Sequence, residues 1–223
     1  MSTAARAVPS EEPLAEEHAG LRAQHRRRVR DALVTSALSL FKERGFEHVT
    51  VDDVAKMAGV SRRTFFRHFA TKEDVVMERR RRQLHTFAAL LEGDDGRPAL
   101  ERVREACLSL ADDFEAQRER VLAERALVMG NRELVARDME VDRELEQVIV
   151  GAFAAHEGRR AAARRGGGRA AAPSIEARWM AAAVVGIVRV TLDDWAEGGG
   201  RTKLRAMGER GFTLLAGLER ART

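Results

Sequence analysis

The sequence contains no tyrosine, one cysteine, two tryptophans and four prolines in 223 residues. A lone cysteine, Cys107, excludes an internal disulfide framework and suits a reducing compartment. Alternating runs of Val, Ile and Thr are missing, which argues against β structure. The abundance of Ala, Leu, Arg and Glu argues for helices. Long apolar runs are missing too. The longest, Trp179 to Val188, ends after ten residues at Arg189, half of the about 20 that a membrane-spanning helix needs. No apolar stretch opens the chain as a secretion signal would, so a cytoplasmic protein with no membrane partner is expected. The six histidines never fall at metal-ligand spacing with Cys107, and neither a metal nor a cofactor is expected. The adjacent acids Asp112/Asp113 and Asp193/Asp194 point in different directions on a helix. With no Ser–His or Cys–His arrangement beside them, catalysis is not expected.

Charge is present but unevenly placed. Residues 22–82 hold 16 Lys and Arg against 8 Asp and Glu, while the chain as a whole is only +4. A basic block of this kind fits either a polyanionic partner for that block alone or a plain solvated basic surface.

Residues 1–21 are polar, acidic and punctuated by proline, and read as a disordered arm. From about Gln24, Val29, Ala32, Leu33, Ser36, Ala37, Leu40 and Phe41 follow helical spacing, and Gly45 ends the pattern. Thr50 with Asp53, and Thr71 with Asp74, have the spacing of helix-starting pairs, and Ser61 can cap the helix between them. A fourth helix is predicted from Thr71 to about Leu91, with Arg79–Arg82 mostly in solvent. After the loop at Glu92–Pro98, longer helices are predicted over about 99–115, 118–129, 132–156, 175–197 and 203–218. The stretch "GRRAAARRGGGRAAAP", residues 158–173, reads as a mobile linker. Its glycines follow no strand and lack the Gly-Lys-Ser/Thr ending of a phosphate loop.

The informative segment is residues 50–69, helix, glycine-centred turn, helix. Phe65 and Phe69 are four apart, so they share an inward face with Val54, Ala55 and Val60. Arg62 and Phe66 share another face, with Arg63 and Arg67 beside them. Nine residues from Ser61 to Phe69 span about 14 Å, comparable with a DNA major groove about 12 Å wide. Such a helix can pack on one side and read base edges on the other. Arg26, Arg27 and Arg28 can reach phosphate or the minor groove, or remain solvated.

Residues 26–76 resemble the DNA-binding domain of TetR/AcrR-type bacterial regulators. The resemblance is carried by "FKERGFEHVTVDDVAKMAGVSRRTFFRHFATKEDVV". It implies an all-α protein with an N-terminal three-helix helix-turn-helix domain and a C-terminal helical domain for ligand binding and dimerisation. The expected bounds are 22–86 and 87–223. It also implies a dimeric repressor on an inverted-repeat operator in double-stranded DNA, released by a small molecule. An activator or architectural regulator without an effector remains the alternative. By the same resemblance Thr50, His68 and Lys72 contact phosphate and Thr64 contacts DNA, which places Ser61, Arg62, Arg63, Phe66 and Arg67 in the interface. Arg63 stands where many members have glycine, and Phe66 where most have a DNA-contacting tyrosine.

In the second domain, Phe87, Phe114, Leu122, Met129 and Phe153 are expected to line a ligand pocket. Arg125, Arg132 or Arg137, facing inward, would suit a carboxylate or phosphate head group. The expected effector is therefore apolar or amphipathic, with an amphipathic anion favoured. The run "WMAAAVVGIVRV" is apolar on most sides and resembles the family's dimer-bundle helix, which pairs with the last helix. Met180, Val184, Val188 and Leu214 are the expected interface residues.

Overall fold

Helix-starting side chains organise the N-terminal half as their spacing predicts. The computed structural model describes residues 12–93, 95–165 and 172–220. Thr50 Oγ accepts the Asp53 amide at 3.2 Å, and the Asp53 carboxylate accepts the Thr50 amide at 2.9 Å. Thr71 and Asp74 repeat this reciprocal pairing at 3.2 and 3.1 Å. Each pair satisfies two backbone donors that a helix start would otherwise orphan. Ser61 Oγ accepts the Thr64 amide at 3.1 Å.

The elements are α1 (Glu12–Arg44), a 3₁₀ turn (Phe46–His48), α2 (Val51–Met57), α3 (Arg62–His68), α4 (Lys72–Leu90), α5 (Ala99–Ala116), α6 (Arg118–Met129), α7 (Arg132–Arg165), α8 (Ile175–Glu197) and α9 (Leu204–Arg220). There is no strand among the described residues. The fold is all-α.

Two helices are longer than the sequence pattern predicts. α1 begins at Glu12, so residues 12–21 of the expected arm are helical. Pro13 sits in the first turn, where its missing N–H costs nothing, and Leu, Ala and Glu follow it. Residues 1–11 lie outside the described residues. Likewise α7 runs on to Arg165, because the Arg–Ala stretch that opens the expected linker is made of good helix formers. Glycines 166–168 lie outside the described residues.

The chain divides into two units, Met1–Val75 and Val76–Thr223, with the break inside α4 rather than at the expected 86/87. The physical reason lies in the partners of α4. Lys72, in its first turn, bonds the carbonyls of Phe46 and Val49. Arg79 and Arg80, two turns on, pair with α6 and α7.

In the first unit Leu33, Ala37, Phe41, Val54, Phe65 and Phe69 are buried. Gly59, at φ 69°, makes the turn between α2 and α3, a conformation that a side chain would strain. The second unit holds two apolar clusters. One centres on Phe87, Ile149, Val184 and Phe212, the other on Phe114, Leu192 and Trp195. α8 and α9 cross closely at Gly211, where an added Cβ would lie 2.5 Å from Ile187 Cγ2. Trp195 is fully buried, and its indole N–H donates to the Thr202 carbonyl at 3.0 Å.

Candidate nucleic-acid interface and effector cavity

α3 is two-faced. Phe65 is fully buried and Phe69 nearly so, whereas Phe66 is 46% exposed and Ser61, Arg62, Arg63 and Arg67 are exposed around it. The Arg62 guanidinium lies over the Phe66 ring at 5.4 Å and donates to the Asp52 carboxylate of α2 at 2.7 Å. Both partners of that ion pair are well exposed, so it contributes about 0–1 kcal/mol and yields readily to another acceptor. Arg63 and Arg67 have no ion pair among the described residues. Leu21, Arg22, His25 and Arg26 of α1 border one surface groove with Arg67, which extends the positive surface beyond α3.

The residues that the family resemblance assigns to phosphate are more committed than expected. Thr50 donates its hydroxyl to Asp53 at 2.6 Å. This bond and the Thr50 amide together hold the Asp53 carboxyl below its ordinary range. Thr64, half-buried, lies with its hydroxyl 3.0 Å from Ser61 Oγ. Lys72 Nζ donates to Phe46 O at 2.8 Å and Val49 O at 3.2 Å, 4.3 Å above the Phe46 ring. One of its three N–H donors is left for another acceptor. His68 is half-buried with Nε2 enclosed and unpartnered. Burial first, then the charges of Arg67, Arg30 and Arg26, lower its pKa below 6.5. Its imidazole is neutral at pH 7.

Sequence reasoning missed Arg30. Its guanidinium donates to the His68 carbonyl at 3.2 Å and lies 4.5 Å over the Phe69 ring, tying α1 to α3. The signal was available, since Arg30 stands three, four and seven residues before Leu33, Val34 and Ala37 on the buried stripe.

In the second unit, α4, α5, α7, α8 and α9 enclose a cavity with about 780 Å³ of atom-free space, counted out to its mouth. Its walls include Leu84, Phe87, Phe114, Val141, Ile187 and Phe212. Three of the five expected lining residues lie elsewhere. Met129, the last residue of α6, is 55% exposed. Leu122 packs on the cluster around Trp195, and Phe153, a turn beyond Ile149, packs on the cluster around Phe87. Neither borders the cavity. Gln83, Cys107 and Thr191 bring polar atoms to its lining. Burial pushes the Cys107 thiol up to about 12, so it stays protonated.

Of the three candidate arginines, Arg125 is the buried one, but it is not available to a head group. Buried, it pairs with Asp138 and Asp193, while Arg80 pairs with Asp138 at 2.9 Å and with Asp142 at 2.5 Å. Arg79 pairs with Glu124. Arg79 and Arg80 therefore face protein rather than solvent, contrary to the expectation for Arg79–Arg82. Arg132 is exposed and Arg137 pairs with Glu140.

Of the four expected dimer residues, Leu214 faces outward and the other three face the intrachain core. Val184 is fully buried in the intrachain core and Val188 lines the cavity, because that side of α8 faces α5, α7 and α9. Met180 is half-buried against the same core. The outward apolar residues are Trp179 and Val190 of α8, 60% and 62% exposed, and Leu214 of α9, 72% exposed. No helix is long and apolar enough to cross a membrane, and no cluster of three or more metal-ligating side chains occurs among the described residues.

The family model for bacterial regulatory proteins of the tetR family matches residues 33–78. The transcriptional regulator TcmR of Streptomyces glaucescens is 52% identical over 58 residues, a match that covers 26% of this chain and only 26% of that protein. The putative mycofactocin biosynthesis regulator MftR of Mycobacterium tuberculosis is 27% identical over 185 residues, covering 82% of this chain and 88% of that one. Among solved structures, Thermus thermophilus FadR, a TetR-family repressor in complex with lauroyl-CoA, superimposes with TM-score 0.56 at 21% identity, covering 84% of this chain and 93% of that one. Helix-turn-helix and basic outer face agree with the family model: residues 33–78 form a DNA-binding domain of the bacterial tetR regulatory type, in a chain with the fold of the solved repressors.

Proposed function

We propose that this regulator is a cytoplasmic, dimeric repressor that holds an inverted-repeat operator through paired α3 helices. A small apolar or amphipathic molecule entering the second unit's cavity releases it. The observation that carries the DNA half is α3 itself: a helix whose inner aromatic face is buried and whose outer face offers Arg62, Arg63, Phe66 and Arg67. That face combines donors for guanine edges with an apolar surface for a thymine methyl. Thr50, Ser61, Thr64, His68 and Lys72 frame it. Dimerisation is assigned to the outward Trp179, Val190 and Leu214, which put apolar surface on α8 and α9 that no described residue covers.

Release is assigned to the cavity because α4 lines it with Gln83, Leu84 and Phe87 and begins at Lys72, beside the helix-turn-helix. A repressor of the same fold holds lauroyl-CoA. By linkage, a ligand that weakens DNA binding tenfold must favour the released state by about 1.4 kcal/mol. The test is fluorescence anisotropy on operator DNA selected from a random pool, repeated across a library of hydrophobic compounds. Release by compounds that also raise the melting temperature supports the reading. Tight operator binding that no compound weakens favours an activator or architectural role instead.

A further inference from the structure

The cavity wall carries a side chain that the fold leaves without a partner. Gln83, on α4, is 8% exposed, and both its Oε1 and Nε2 are enclosed with no hydrogen-bond partner. Buried amides are almost always paired, so an enclosed pair of donor and acceptor beside an apolar cavity invites a complementary group. Gln83 borders this cavity and also a polar groove with Arg79, Arg82 and Asp113.

Charge narrows the partner further. Arg80 is the one charged residue of the lining, and its guanidinium is taken by Asp138 and Asp142. Arg125, next in the same network, is taken by Asp138 and Asp193. Arg79, over the Phe114 ring of the lining, is taken by Glu124, so each guanidinium near the cavity already has a carboxylate. An anionic head group would enter an apolar space with no unpaired cation to receive it, which is costly.

Taking the cavity as the effector site, we infer that its ligand is a neutral, largely apolar molecule whose amide, lactam or hydroxyl–carbonyl group pairs with the Gln83 side chain. This replaces the amphipathic anion expected from the sequence. The Thr191 hydroxyl, on the same lining, is a second neutral contact for such a group.

The test uses the full-length protein and three probes: the neutral fluorescent dye N-phenyl-1-naphthylamine, decanamide and decanoate. The two decanoyl compounds share a chain and differ in head-group charge. Wild-type protein should release the dye to decanamide at least tenfold more readily than to decanoate at pH 7.5. Gln83→Leu should weaken directly titrated decanamide about tenfold, weaken neither the dye nor decanoate to that extent, and raise the ligand-free melting temperature by removing an unpaired amide. That rise also guards against a merely misfolded variant. Equal displacement by the two compounds, or an unchanged decanamide affinity in Gln83→Leu, overturns the inference while leaving the cavity as a binding site. Failure of all three probes to bind overturns the cavity reading and the inference with it.

Discussion

Replacing Lys72 by methionine keeps the aliphatic stem and removes the ammonium. In the structure that ammonium bonds two carbonyls, Phe46 O and Val49 O, and sits over the Phe46 ring. A hydrogen bond from a charged donor contributes about 1.5–3 kcal/mol. Two such bonds share one half-exposed group, and water can satisfy part of what is lost, so Lys72→Met should cost about 2–3 kcal/mol of stability. Urea denaturation followed by circular dichroism reads that loss as a lower midpoint. The remaining N–H predicts a second, separable effect. If it meets a phosphate, operator and scrambled DNA should weaken alike, and the salt dependence should flatten by about 0.9 per half-site. An unchanged urea midpoint refutes the clamp. A normal salt slope in a destabilised variant refutes the phosphate contact.

The ion network of the second unit should respond in its own way. Asp138→Ala removes one of two carboxylates from each of Arg80 and Arg125, which keep Asp142 and Asp193. Losing charged hydrogen bonds of about 1.5–3 kcal/mol should lower the melting temperature by roughly 3–12 °C for a chain of this size, and a loss under 1 °C would sink the network's structural role. Burial opposes ionisation of Asp138, but Arg80 and Arg125 outweigh it and hold its pKa below 3.8. Its contribution is therefore present above about pH 4 and lost as pH falls through the lower folded value. For His68 the folded pKa is below 6.5, so the unfolded chain takes the proton first and stability falls as pH drops below about 6.5. His68→Gln should abolish that part of the fall between pH 7 and 5, and parallel profiles for the two proteins would count against it. Arginine at Trp179 and Leu214 together should yield monomers with weak operator binding, and sedimentation showing an intact dimer refutes the assigned interface.

What could be read from the sequence was local. Helix caps at Thr50, Ser61 and Thr71, the turn at Gly59 and the burial of Phe65 and Phe69 depend on residues within a few positions of each other, and each stands as read. Misreadings arose where partners are distant. Arg79 and Arg80 look like surface charge until α6 and α7 bring Glu124, Asp138 and Asp142 to them, more than forty residues away in sequence. Met129 and Phe153 have the right residue type for a pocket, yet which side of a helix faces the cavity is set by tertiary packing. Val184 and Val188 are taken up within the chain for a related reason. An apolar run marks burial, and it cannot tell burial within the chain from burial between chains.

The most direct test is selection of DNA from a random pool by the purified protein, followed by salt-dependent titration of wild type and Arg63→Ala. An inverted repeat should be enriched, one half-site per α3. Arg63→Ala should lose about 1–3 kcal/mol on that site and relax preference at one or two base pairs in each half. No enriched sequence, or equal losses on operator and scrambled DNA, contradicts base reading by this helix.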